Sequence, residues 1–378
     1  MWTVQEPPTP AIEPHGAHAT RESAAIHGLR LPVAPRAVLL VRLGAIGDIV
    51  FASPLISAFR ERFPQTRLVW LCEPAGAELL RANPRLDAVT VWPKTAWHEL
   101  WRAGKARELM GQVSAFRRSL RAAQFDLAVD LQGLLKSALL ARMSGASTRI
   151  GLGAREGSRM FMTQVIPRAG EPERMGSEYH FLAERLGLGP LSAMDLPVAA
   201  SARVAARSRL GAAGLTGEYV ALAPFTTRPQ KHWFEARWSA LIDTLQTRYG
   251  LRSVLLGGPR DRAMAARIVD TLPSGPGAPI NLAGQTPLGE AAALIADARL
   301  VVGVDTGLTH MGFGYGRPTI ALFGSTRPYL RAPHPHGRIL YHALPCSPCK
   351  RRPTCNGRYD CMRHHAVGDV LCAADELL

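Results

Sequence analysis

Nine short apolar runs, most of them rich in β-branched residues, alternate along the chain with stretches of helical spacing, and few folds accommodate that rhythm. The first four are AVLLVR (37–42), RLVWLC (67–72), AVTVW (88–92) and DLAVDL (126–131). After a looser Gly/Ala/Pro-rich stretch near 187–217 the pattern restarts with YVALAP (219–224), RSVLLG (252–257), PINL (279–282), RLVVGV (299–304) and PTIALF (318–323). Continuous apolar runs mark strands buried on both faces of a parallel sheet, and the intervening helices suit right-handed crossovers. The expectation is an α/β chain with two doubly wound, Rossmann-like domains. Such sheets bind ligands beyond the carboxyl ends of their strands, so two of them facing each other enclose a deep cleft.

With 378 residues, 47% of them apolar, the chain can bury substantial cores without metal or disulfide staples. The absence of a repeat period argues against solenoids and coiled coils. Residues 1–36 hold six prolines and no sustained periodicity, which predicts a disordered arm. The domains are then expected at 37–190 and 218–344, with a linker at 191–217 and a cysteine-rich tail at 345–378. Lys and Arg exceed Asp and Glu by fifteen (45 against 30), which favours an anionic partner: nucleic acid, a phosphate-rich lipid surface or a nucleotide substrate. Arg42, Asp48 and Arg60 interrupt the most apolar early stretch, so neither a membrane span nor a signal-peptide core fits there, and a cytoplasmic protein is expected.

The chemistry-bearing residues follow strands. Arg42-Leu43-Gly44-Ala45-Ile46-Gly47-Asp48 ends the first run and opens a helical pattern, bringing backbone N–H groups to the cleft mouth. Asp48 reads either as a helix-capping carboxylate or as a general base for an acceptor hydroxyl. Thr226-Thr227-Arg228-Pro229-Gln230-Lys231-His232-Trp233 supplies two hydroxyls and a lysine before a helix, a diphosphate cradle or simply a polar loop; Trp233 should pack in the core. Gly257-Gly258-Pro259-Arg260-Asp261 places an acid where it can take a ribose diol or cap a helix. Val304-Asp305-Thr306-Gly307-Leu308-Thr309-His310 sets a carboxylate, a hydroxyl and free N–H groups at another helix start. His310 there either points back into the cleft or is a satisfied core histidine.

Between residues 94 and 121, Lys94, Arg102, Lys105, Arg107, Arg117, Arg118 and Arg121 face only Glu99 and Glu108, with Trp92, Trp97 and Trp101 interleaved. Leu109, Val113, Phe116 and Leu120 keep helical spacing, which turns the cations to the opposite face. The segment reads as a solvated face or as a docking surface for anionic lipid, with Trp97 and Trp101 at the headgroup boundary. In the tail, Cys346, Cys349, Cys355 and Cys361 have enough thiolates for a tetrahedral zinc site; a packed reduced cluster or a disulfide pair is the alternative.

Together LGAIGD (43–48), DLQGLLKSA (130–138), TTRPQKHW (226–233), GGPRD (257–261) and VDTGLTH (304–310) resemble the bacterial heptosyltransferases of glycosyltransferase family 9, over roughly residues 37–370. The resemblance implies a GT-B fold and an inverting transfer of L-glycero-D-manno-heptose from ADP-heptose to the inner core of lipopolysaccharide. It matches Asp48 to the catalytic base, and Thr226, Thr227, Lys231, Asp261, Asp305, Thr306, Gly307 and His310 to positions holding the ADP part of the donor. No cofactor is required in such a scheme. The acceptor would be an anionic lipid precursor at the cytoplasmic face of the inner membrane, met by Arg102, Lys105, Arg117, Arg118 and Lys136. GLGAREGS (151–158) is similar to the enzymes adding the first heptose to Kdo, whereas the cysteine tail looks like that of second-heptose enzymes, so Kdo and heptose both stay open as acceptors. A nucleotide-sugar epimerase of similar architecture is the alternative enzyme. A non-catalytic binder of anionic ligands is the weakest reading, and no nucleic-acid motif accompanies the charge.

Overall fold

The computed structural model describes residues 34–378. Six parallel strands form the first sheet: β1 (Ala37–Val41), β2 (Arg67–Cys72), β3 (Ala88–Val91), β4 (Leu127–Asp130), β5 (Thr148–Leu152) and β6 (Gln164–Ile166), in the order β3-β2-β1-β4-β5-β6. The second sheet repeats the plan with β7 (Tyr219–Ala223), β8 (Arg252–Leu255), β9 (Ile280–Asn281), β10 (Leu300–Val304), β11 (Thr319–Phe323) and β12 (Gly337–Tyr341), in the order β12-β11-β10-β7-β8-β9. All nine runs seen in the sequence form strands. The central ones are buried from end to end, β1, β7, β10 and β11 without an exposed residue, as two-faced coverage by helices demands.

Strand order reverses once in each sheet, between β1 and β4 and between β7 and β10. Loops leaving the two strands on either side of such a reversal splay apart and open a crevice. The crevice of the first sheet lies between the loops after Val41 and after Asp130; that of the second lies between the loops after Ala223 and after Val304. Each of the four begins at one of the motifs singled out above.

One buried apolar cluster joins the halves, from Val38, Ile49 and Leu55 on the first sheet's side to Ala293, Val301 and Met311 on the second's. The expected loose segment 191–217 contains a helix, Ala200–Ala212, whose Ala206 and Leu210 are buried. The arm expected at 1–36 lies outside the described residues apart from its last three. There Arg36 pairs with Asp126 at 3.2 Å and the Pro35 carbonyl accepts the Thr66 hydroxyl at 2.5 Å. The tail closes the second core with Met362, Val370, Ala373 and Ala374. Trp233 is buried as expected, donating its indole N–H to the His365 carbonyl at 3.0 Å and meeting Trp238 edge-on at 5.1 Å.

Candidate active site

The loop after β1 passes into a short helix, Ile46–Ala52, and Asp48 lies in its first turn. Its Oδ2 accepts the Ala45 backbone N–H at 3.3 Å, so the capping contact is real. The same oxygen pairs with Arg42, whose side chain is 7% exposed and donates through Nη1 to the Leu131 carbonyl at 3.2 Å. Burial works against the Arg42 charge, yet Tyr179, Asp48 and Glu178 beside it outweigh burial and raise its affinity for the proton. Both contacts fall on Oδ2, and Oδ1 has no partner among the described residues. Asp48 is therefore held from behind and open in front, its side chain 39% exposed.

The loop after β4 is tied to it. Asp130 accepts the N–H groups of Gln132 (2.9 Å) and Gly133 (3.1 Å) and the Ser137 hydroxyl (3.0 Å), which fixes the turn. Gln132 then accepts the Leu43 N–H at 3.1 Å and bridges the crevice. These contacts give DLQGLLKSA an architectural role. Lys136 stands exposed in the first turn of the helix Leu135–Met143.

In the second sheet Asp305 is the hub, 8% exposed. Lys231 Nζ lies 2.6 Å from its Oδ2, the Thr326 hydroxyl donates to that oxygen, and His310 Nε2 is 3.2 Å from Oδ1. Burial alone would raise the Asp305 carboxyl, but His310 and Lys231 outweigh it and hold the group well below the usual carboxylate range. Thr226 donates to the Asp305 backbone carbonyl at 3.4 Å, joining the loops after β7 and β10. Thr306 is the N-terminal cap residue of the helix Gly307–Gly314 and makes no side-chain capping hydrogen bond there, and Thr227 is exposed at the rim. Asp261 does not join the Asp305 cluster. It accepts the Gly258 N–H at 2.7 Å on the neighbouring loop, which is the capping contact.

The two motifs richest in signal pack on each other across the cleft. A Cβ on Gly47 would lie 2.6 Å from the His310 ring, and one on Gly307 would lie 2.8 Å from Ile46. Glycine at both places lets the helices Ile46–Ala52 and Gly307–Gly314 meet at backbone distance. Three partners, Arg42, Thr326 and Tyr329, went unassigned from sequence; each follows a strand end, which was the available signal.

One expectation needs correction, and a second finds no support. Trp97 is turned inward, edge-on to Phe116 at 5.5 Å and to Trp92 at 6.2 Å, because its helix packs on the apolar stripe of the next one; only Trp101 of the three is largely exposed, at 71%. The four tail cysteines lie near one another but are not drawn into a metal-holding group. Among the described residues no group of three or more His, Cys, Asp or Glu is placed to hold an ion, and all four are free thiols. Cys361 is drawn into the second core against Gly324, and burial pushes its thiol up to about 11, while Cys346 stays exposed.

Residues 113–360 match the family model for glycosyltransferase family 9 (heptosyltransferase). The chain is 30% identical to lipopolysaccharide heptosyltransferase 1 of Pseudomonas aeruginosa, over 84% of this chain and 87% of that protein. It is 28% identical to an Escherichia coli lipopolysaccharide heptosyltransferase 3, over 88% of this chain and 96% of that one. A family 9 structure from Veillonella parvula shares the fold, with a TM-score of 0.77 at 22% identity, covering 90% of this chain and 97% of that one. An E. coli heptosyltransferase solved with ADP-2-deoxy-2-fluoro heptose superposes with a TM-score of 0.67 at 25% identity, over 90% of this chain and all of that one. Two GT-B halves with their strand-end loops converging on one cleft, and a family match that takes in about half of the first and all of the second, lead to one conclusion: the chain belongs to glycosyltransferase family 9, the heptosyltransferases.

Proposed function

We propose that the enzyme transfers L-glycero-D-manno-heptose from ADP-heptose to the inner core of lipopolysaccharide with inversion at the anomeric carbon. The observation that carries the reading is the packing of the Asp48 helix onto the Asp305–His310 helix, which sets a half-exposed carboxylate beside a buried, cation-paired one across the cleft. Asp48 takes the proton of the acceptor hydroxyl; the oxygen forms a bond to the anomeric carbon from the face opposite the diphosphate. The bond from that carbon to the diphosphate breaks, and ADP leaves with the electron pair. Lys231 and the N-terminal turn of the helix Gly307–Gly314 offset the charge that gathers on the leaving oxygens, in place of a metal ion. Thr226, Thr227 and Thr306 supply hydroxyl donors, and Asp261 offers its remaining oxygen to the ribose. The segment GLGAREGS (151–158), similar to the enzymes that add the first heptose, favours a Kdo-terminated acceptor over a heptose-terminated one. Donor turnover separates this from an epimerase: ADP release should require added lipid acceptor, and conversion of ADP-heptose without acceptor would overturn the reading.

The lipid acceptor requires a surface that meets membranes, for which the helices Lys94–Arg102 and Ala106–Ala122 are suited. Arg102, Lys105, Arg117 and Arg118 are all exposed, and Leu120 is buried on the opposite face. Lys105 is partly committed to Glu108 at 3.1 Å. Trp101 stands at the end of the first helix, and Lys136 with the exposed Leu135 and Leu139 lies nearer the cleft. Among the described residues no helix is long and apolar enough to cross a membrane. Each cation near an anionic surface contributes about 1 kcal/mol. Changing these four to Gln should weaken sedimentation with anionic vesicles by at least about tenfold at low salt. The apparent KM for lipid acceptor should rise and ADP affinity stay put; equal vesicle binding by both proteins at low salt would assign the face to solvent.

A further inference from the structure

Tyr329 follows β11 in a loop that no sequence motif singled out, and its side chain is completely buried. Its hydroxyl lies 2.7 Å from Nδ1 of His310, the histidine whose Nε2 lies 3.2 Å from Asp305. Three neighbouring rings enclose this pair. Phe51, on the helix that carries Asp48, lies tilted 4.7 Å from His310 and meets Tyr329 edge-on at 5.8 Å. Phe323 and Phe313 meet Tyr329 edge-on at 5.2 and 5.6 Å, and Phe323 lies 6.3 Å from His310. In this apolar box neither the phenol nor the imidazole has room to turn to another partner, and a ring nitrogen without one would be costly.

For a neutral His310 the hydrogen-bond inventory then determines which atom donates. An ionised carboxylate only accepts, so the proton between His310 and Asp305 belongs to Nε2. A neutral imidazole with its proton on Nε2 presents a lone pair on Nδ1, which needs a donor. The Tyr329 hydroxyl is the donor within reach, and its burial keeps it protonated.

We propose that Tyr329 is a positioning residue for the transfer reaction: its hydroxyl fixes His310 in the Nε2–H tautomer, so that His310 holds Asp305 in place when the donor's diphosphate draws Lys231 away. This rests on the reading of Asp305 and Lys231 as part of the donor site. Without the donor, three groups share the carboxylate: Lys231, His310 and Thr326. Lys231 is the one with a competing demand, because a diphosphate offers it more negative charge. His310 and Thr326 must then hold Asp305 alone, and His310 does so only with its proton on the correct nitrogen. Phe51 ties the arrangement to the Asp48 side of the cleft.

Tautomer and function can be read separately. In protein labelled with 15N-histidine, the ring nitrogens of His310, assigned by their loss in His310→Gln, should show the Nε2–H tautomer in the wild-type enzyme at neutral pH. In Tyr329→Phe, which keeps the ring and removes one oxygen, the signals should move to a mixture of tautomers or to the doubly protonated form. KM for ADP-heptose should rise roughly five- to tenfold, the size expected for one lost buried hydrogen bond, with kcat changed less than twofold. Wild-type His310 found as the Nδ1–H tautomer or as imidazolium overturns the proposal whether or not the variant folds. So does a Tyr329→Phe enzyme with unaltered histidine signals and unaltered donor KM. If Lys231→Ala leaves ADP binding intact while the tautomer result holds, the donor-site reading has failed and the tautomer assignment has not.

Discussion

Asp48→Asn should lower the rate of heptosyl transfer by about 10²- to 10⁴-fold, the range contributed by a positioned general base, while ADP binds as before. The substitution is nearly isosteric, and the Asn oxygen can still accept from Arg42 and from the Ala45 N–H, the two contacts that Oδ2 makes now. What disappears is the ability of the open side to take a proton from the acceptor. Arg42 would be left buried without its opposite charge, so thermal unfolding should accompany the kinetics to separate lost chemistry from a weakened fold. ADP calorimetry should be indistinguishable from wild type, because the donor cluster hangs from β7 and β10 in the other half. Turnover within a few-fold of wild type would remove the base from Asp48.

Asp305→Ala and Lys231→Ala should each weaken ADP binding by about 10- to 100-fold, the effect of losing hydrogen bonds in which one partner is charged. They differ in what they leave behind. Asp305→Ala strips Lys231, His310 and Thr326 of their shared acceptor at once and leaves a lysine only 15% exposed without its counter-charge. Lys231→Ala leaves Asp305 with two donors and removes the cation facing the diphosphate. Since the two side chains touch, their effects should not add, and the double variant should lose less than the sum of the singles. Calorimetry with ADP and donor kinetics check this; unchanged values in both variants would move the donor site elsewhere.

The sequence showed the sheet centres well and the edges poorly. β2 and β10 are unbroken apolar runs because helices cover both faces, and their limits were legible to within a residue. β5 carries Arg149 and Gly151, β6 spans three residues, and β12 is half-buried throughout, so these outer strands lacked the apolar signal that identifies a buried strand. Asp48, Lys231, Asp305 and His310 were visible because each follows a strongly apolar strand, where strand-end loops carry ligands. Their partners were not. Arg42 meets Leu131 across 89 residues of sequence, and Tyr329 meets His310 across 19, pairings that no local pattern encodes. Spacing also misled at Trp97, one face of a short helix away from Trp101.

Purified enzyme incubated with ADP-heptose and, in parallel, with Kdo-terminated and heptose-terminated lipid acceptors tests heptosyl transfer most directly, read as ADP release, product mass and anomeric configuration. Release of one ADP per heptose added, an inverted linkage and preference for the Kdo-terminated lipid are the predicted result. ADP-heptose left intact with both acceptors, or consumed without any gain in acceptor mass, would contradict it.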